Sequence, residues 1–244
     1  MSLINKFKKL FSSCNNDVAD VCDEPQDNRY TTTPSPLPIN FDLKMLIIAD
    51  SHGCLEESDL PSHIDADVCF LLGDHSLQDI QIIKEKVVDI PIYGVLGNHD
   101  GFNLYDMCGI ENVHGKVVEV NGVRIAGIQG SLRYKYSDMP LYTDEESVEI
   151  AENMDAADIL ISHDSPKYLH STNDYAHSGL HGITRYCEKN NVPLNIHGHH
   201  HDNTKNVLEN GTTSICCHKV QLIDTKDLRQ VQETHKNKKK SLEN

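Results

Sequence analysis

Residues 92–100 read Ile-Tyr-Gly-Val-Leu-Gly-Asn-His-Asp, an apolar run that stops at Gly97 and then sets out Asn98, His99 and Asp100 in succession. A run of five apolar or small residues, too short for an amphipathic helix, reads as a buried strand. The same grammar recurs on both sides of it. Lys44–Ala49 (KMLIIA) ends in Asp50-Ser51-His52, and Val68–Leu72 (VCFLL) ends in Gly73-Asp74-His75. Further on, Asp158–Ser162 ends in His163-Asp164, and Leu194–His197 leads into Gly198-His199-His200-His201. Between the second and third runs, Leu77, Ile80, Ile83 and Val87 fall on one helical face. Strands alternating with a helix are the signature of a layered α/β core. Val117–Val120 and Val123–Ile128 flank Asn121-Gly122, a two-residue hairpin signal. Thr143-Asp-Glu-Glu146 is a capping-box pattern that opens a helix to about Met154. Lys205–Leu208, Thr213–Cys217 and Val220–Ile223 read as an antiparallel meander that closes the fold.

Loops at strand ends are where α/β sheets build their sites. Asp, Asn and His together suit Mn²⁺, Fe or Zn²⁺, and no cysteine recurs among these segments. They offer too many ligand-type side chains for a single four-coordinate ion, so a two-metal site is the arithmetic they imply. Glycines 73, 97 and 198 permit the sharp strand-to-loop turns that aim such ligands inward.

The ordered series D-x-H, G-D, G-N-H-D, a lone His and G-H-x-H, spread from about Phe41 to Asp224, resembles the calcineurin-like metallophosphoesterase family. The resemblance implies a four-layer α/β/β/α sandwich of two facing mixed sheets with helices outside. It implies that Asp50, His52 and His201 ligate one metal, that Asp74 bridges both, and that Asn98, His163 and His199 hold the second. His99 would then be the free histidine beside the substrate, oriented by Asp100, which should also raise its pKa. Two divalent cations would serve, Mn²⁺ first, with Fe or Zn²⁺ as alternatives. Such ions ~3.5–4 Å apart share a hydroxide that attacks phosphorus directly, while both polarise the phosphoryl oxygens. The second block runs GDHSLQD and lacks the D-R-G continuation of the serine/threonine phosphoprotein phosphatases. Asp100 also stands where those enzymes usually carry Glu. The chain therefore looks more like the phosphodiesterase-type and bacterial or phage-type branches. The reaction expected is hydrolysis of a small phosphodiester ahead of a phosphomonoester. The alternatives are a nuclease on short or single-stranded ends, and a non-catalytic scaffold of the same fold.

Ser131–Tyr142 (SLRYKYSDMPLY) sets Arg133 among tyrosines, and its guanidinium makes it the expected substrate contact. His75, His197 and His200 neighbour the ligands without joining them, and His114, His170 and His218 read as ordinary surface histidines.

The chain carries 37 acidic residues against 22 Lys+Arg, a formal charge of −15, which argues against binding duplex nucleic acid. Its 38% hydrophobic content without Trp is low for 244 packed residues, so the ends are expected to be unpacked. Residues 1–40 comprise a short basic amphipathic segment, MSLINKFKKLF, and a Thr/Pro-rich linker; 41–225 form the catalytic domain; 226–244 form a polar tail. Residues 1–11 could dock on a membrane surface or a protein. Eight scattered cysteines without a C-x-x-C pair suit free thiols in a reducing, cytoplasmic setting. No apolar run is long enough to cross a membrane, and no cleavable secretory pattern opens the chain.

Overall fold

The computed structural model describes residues 35–170, 174–230 and 232. The amphipathic segment read at 1–11 lies outside the described residues. The first half runs β1 (Lys44–Ala49), β2 (Val68–Leu71), α1 (Leu77–Lys86), β3 (Ile92–Gly94), α2 (Leu104–Cys108) and β4 (Glu111–Asn112). The second half begins with the hairpin β5 (Val117–Val120) and β6 (Val123–Ile128), then the short pair β7 (Ser131–Leu132) and β8 (Leu141–Tyr142). It continues through α3 (Asp144–Asn153), β9 (Ile159–Ser162), α4 (His181–Asn190), β10 (Leu194–His197), β11 (Thr204–Val207), β12 (Thr213–Cys216) and β13 (Lys219–Asp224). One sheet has the order β13-β1-β2-β3-β4 and the other β11-β12-β10-β9-β6-β5.

The side-chain period of two explains the layering. Along β1, Met45, Ile47 and Ala49 enter a cluster between the sheets with Phe70, Ile125, Ile161 and Ile196. The alternate residues Leu46 and Ile48 pack outward against Ile80, Ile83 and Tyr105 of α1 and α2. A strand covered on both faces has no polar side to show, which is why KMLIIA reads as a continuous apolar run. On the other sheet, Ala126, Ile128 and Leu160 face outward beneath Ala151, Ile183 and Tyr186 of α3 and α4. The result is the four-layer α/β/β/α sandwich, two mixed sheets face to face with helices outside.

The capping box read at Thr143 is formed: Thr143 and Glu146 exchange hydrogen bonds at the start of α3. Ser76 and Asp79 make a second one at α1. Two expectations need correction. β13 does not extend a meander with β12: it crosses to the other sheet and pairs antiparallel with β1, Lys44 opposite Asp224 and Ala49 opposite Lys219. β12 is already flanked by β10 and β11, so only an open edge elsewhere could accept another strand. The packed chain also extends past both expected borders. Residues 225–230 are helical, and Arg229 bonds Phe41 O and Asp42, while Thr225 Oγ1 accepts from Leu43 N at 2.9 Å. At the other end Ile39 is buried, and Leu37 N donates to Gly211 O.

Candidate metal centre

β1–β2–β3 run parallel, as do β6–β9–β10, so the polar segments that follow them leave from matching ends of the two sheets. Backbone hydrogen bonds stitch those segments together: Asp50 N donates to Gly73 O at 3.0 Å, and His52 N to Asp74 O at 2.9 Å. Across the sheets, His199 N donates to Asp50 Oδ2 at 2.9 Å. Asp50, His52, Asp74, His199 and His201 all have positive φ, between 47° and 70°. Side chains seldom adopt that region, and such departures concentrate at functional sites.

Two groups of ligand atoms result. Those of Asp50, His52 and His201 lie within 4.8 Å of one another, as do those of Asp50, Asp74 and His163. Asp74 Oδ2 stands 3.7 Å from His52 Nε2 and 3.7 Å from His163 Nε2, equidistant from one histidine of each group. His201 Nε2 is 3.1 Å from His52 Nε2 and 3.9 Å from Asp50 Oδ1. Asn98 Oδ1 is 2.8 Å from His163 Nε2. The His199 ring lies 4.9 Å from that of His163, and its Nε2–H donates to Ala176 O at 3.1 Å, which leaves Nδ1 with the lone pair.

The donor atoms fit cations. His163 Nδ1 donates to the Leu72 carbonyl at 2.7 Å, so the neutral ring carries its lone pair on Nε2. That lone pair faces the carbonyl oxygen of Asn98, an arrangement of two acceptors that a positive ion between them would satisfy. Burial pushes His163 down to about 4, so a proton does not fill the role at neutral pH. Asp50 Oδ1 is buried with no hydrogen-bond partner. Burial, then the neighbouring Asp74 charge, pushes Asp50 up to about 8. Burial likewise pushes Asp74 up, but His163 and the His99 amide outweigh it and hold the carboxyl below its ordinary value. Burial also lowers His199 to about 4. Buried carboxylates beside neutral imidazoles lack the compensating charge that burial demands, and divalent cations supply it.

Several expected side-chain roles change. Asp100 does not orient the His99 ring: its carboxylate accepts from the amides of Gly97 at 2.7 Å, Asp74 at 2.8 Å and His75 at 3.0 Å. It is buried and ties the β2 and β3 loops together, with both oxygens already engaged. His99 is exposed, its amide bonded to Asp74 Oδ1 and its ring 5.6 Å from that of His52. Arg133 does not face the cluster. It pairs with Glu146 at 2.7 Å, bonds Leu141 O, and lines a cavity of about 650 Å³ to which none of the clustered ligands contributes. Its neighbour Tyr134 reaches the site instead, with its hydroxyl 3.4 Å from Asn98 Nδ2. His114 and His170 are half-buried, not surface residues, because His114 accepts from Gln129 N and His170 stacks on His200. Asp79 had no expected role, yet it accepts from Ser51 Oγ, Gly53 N and Leu55 N and so clamps the first ligand loop. The spacing of Ser76 and Asp79 is the signal that could have found it.

No family model matches the chain. Among the solved structures that resemble it, two align over 75% of this chain. TT1561 of Thermus thermophilus aligns over 98% of its own length, with a TM-score of 0.53 and 14% identity. The phosphopantetheinyl hydrolase PptH from Mycobacterium tuberculosis aligns over 96%, with a TM-score of 0.52 and 13% identity. These are metallophosphoesterase-fold proteins, and this chain has that fold, with candidate His/Asp metal sites at the ends of its strands. By sequence, an uncharacterized protein of Haemophilus influenzae is 27% identical over 170 residues, 54% of this chain and 72% of the relative.

Proposed function

We propose that this chain is a metal-dependent phosphoester hydrolase that acts on a small phosphodiester ahead of a phosphomonoester. The observation that carries the reading is Asp74 Oδ2, equidistant at 3.7 Å from His52 and His163 on the two ligand groups. Asp50, His52 and His201 would hold one cation and Asn98, His163 and His199 the other, with Asp74 between them. Mn²⁺ is the first choice, with Fe or Zn²⁺ as alternatives. Bound there, the ions would activate water and neutralise charge developing on the phosphoryl oxygens.

The chain's own residues supply the rest. Asp100 and Asp79 hold the ligand loops through backbone amides, so the ligands are preorganised before anything binds. His99, exposed with its ring 5.6 Å from that of His52, would give a proton to the leaving-group oxygen. The Tyr134 hydroxyl, which accepts from Asn98 Nδ2 at 3.4 Å, would stand beside a phosphoester bound at the second cation. The formal charge of −15 weighs against a nuclease, whose substrate would meet a negative field.

The test is hydrolysis of bis-p-nitrophenyl phosphate and p-nitrophenyl phosphate by metal-stripped protein reconstituted with Mn²⁺. Turnover should require metal, vanish in Asp74→Ala and fall ~100-fold or more in His99→Ala. The diester should be the better substrate. Stoichiometric metal binding without turnover on either ester would leave a scaffold as the better reading.

A further inference from the structure

On the helix-covered face of the six-stranded sheet, a second group of ligand-type side chains has no part in the centre described above. β10 and β12 are parallel neighbours, and their register sets His197 directly across from Cys216. Both are buried, at 0% and 1% exposure. The segment after β9 lays His170 over them, its ring 5.3 Å from that of His197. One ligand atom from each of His170, His197 and Cys216 lies within 4.8 Å of the other two. His200 closes a further side, stacked on His170 at 4.0 Å and edge-on to His197 at 6.0 Å.

The hydrogen bonds show which atoms are free. His197 Nδ1 lies 3.1 Å from the Gly198 carbonyl, which can only accept, so Nδ1 carries the proton and Nε2 the lone pair. Nε2 is buried with no partner, and so is Nε2 of His170. Buried polar atoms are nearly always paired in folded proteins, and both of these belong to rings that bring a ligand atom within 4.8 Å of the Cys216 sulfur. The Cys216 thiol donates to the Gly198 carbonyl at 3.7 Å and is held protonated by burial, so an ion binding there would displace its proton. A proton-bearing Nδ1 fixed on a carbonyl, with Nε2 directed at the ion, is how metal-bound histidines are commonly held.

We infer that His170, His197 and Cys216 form a third metal site, separate from the Asp50/Asp74 centre and selective for Zn²⁺, with His200 at its open side. The chemistry differs from the first centre, where every donor is a carboxylate, amide or imidazole. Two or three imidazoles with one thiolate are a nitrogen/sulfur set, which favours zinc at about 2.0–2.1 Å for nitrogen and about 2.3 Å for sulfur. Its role is structural. A zinc ion there would pin the segment bearing His170 to the sheet and fix the 197–201 turn, from which His199 and His201 reach the first centre.

Cobalt distinguishes this site from the other, because, of the ligand groups among the described residues, this one includes a thiol, that of Cys216. Stripped full-length protein would be titrated with Co²⁺ while thiolate-to-cobalt charge-transfer absorption is followed in the near ultraviolet. The band should appear in wild type, persist in Asp74→Ala and Cys217→Ser, disappear in Cys216→Ser, and be bleached by added Zn²⁺. His170→Ala, at a half-buried loop position, should weaken it while circular dichroism stays native, which keeps the test open if Cys216→Ser fails to fold. Absence of the band in folded, cobalt-loaded wild type, or its survival in Cys216→Ser, would overturn the site. Persistence in Asp74→Ala also separates it from the proposed hydrolytic centre, so either proposal can fail alone.

Discussion

Gly97 has no room for a side chain. A Cβ there would lie 2.1 Å from Asp74 Oδ1 and 2.5 Å from Asp74 N, and one on Gly73 would lie 2.3 Å from Gly97 N. The β2 and β3 loops thus touch backbone to backbone, and that contact sets where the central carboxylate stands. Gly73 also needs its φ of +91°, whereas Gly97 and Gly198 are small for the sake of close approach. Gly97→Ala should therefore fold with a loss of about 1–3 kcal/mol from overpacking. Displacing Asp74 by about 1 Å should lower kcat/KM about 100-fold, a far larger effect than the stability change implies. Thermal melts and kinetics on the same preparation would separate the two. Five of the seven candidate ligands adopt left-handed backbone at about 1–3 kcal/mol each, held by amides that Asp50, Asp74 and Asp100 accept.

At the scale of elements, α1 is anchored by a capping side chain that also reaches the site. Asp79 completes the box of α1 and at the same time accepts from the loop after β1. The hairpin is joined to the β7–β8 region through His114. Its Nδ1 accepts from Gln129 N at 3.1 Å, and its Nε2 lies 3.3 Å from the Tyr142 hydroxyl. Accepting an amide requires a lone pair on Nδ1, so protonation would break that bond. Burial pushes His114 from 6.5 down to about 4. Below pH 6.5 the unfolded chain takes up a proton that the folded chain refuses until about pH 4, so stability falls across that window. In His114→Asn the dependence of the melting midpoint on pH should be shallower over the same range, whatever its height at neutral pH. An equally steep slope would assign the acid sensitivity to other groups.

For the molecule as a whole, the candidate metal centre joins the two halves of the sandwich. Its ligands come from β1, β2 and β3 on one sheet and from β9 and β10 on the other; His52 and His201 are 149 positions apart. Cations bound only by the folded chain must stabilise the whole domain. At a hundredfold excess over Kd this amounts to about 2.7 kcal/mol. For a domain of this size that raises Tm by about 5–10 °C. Chelation should reverse the shift in wild type and do much less in Asp74→Ala; an unchanged Tm on chelation would mean that folded and unfolded chains bind metal alike. No helix among the described residues is long and apolar enough to cross a membrane.

What the sequence determined alone was what depends on neighbours in the chain. The apolar run KMLIIA, the capping pair Thr143/Glu146 and the Asn121-Gly122 turn act over a few residues, so composition and period are enough to read them. Asp50, His52, Asp74, Asn98, His163, His199 and His201 read as one candidate set because each closely follows a strand. Tertiary structure decided whatever depends on partners far away in sequence. β13 pairs with β1 because that edge of the first sheet was open, and strand order is not written in any local pattern. Asp100 accepts amides of Gly97, Asp74 and His75 in place of orienting His99, and Arg133 goes to Glu146. His170 left the surface, and His197 met Cys216, only when the register of two parallel strands put them side by side. A side chain's chemistry is local, but what it bonds to is set by long-range pairing.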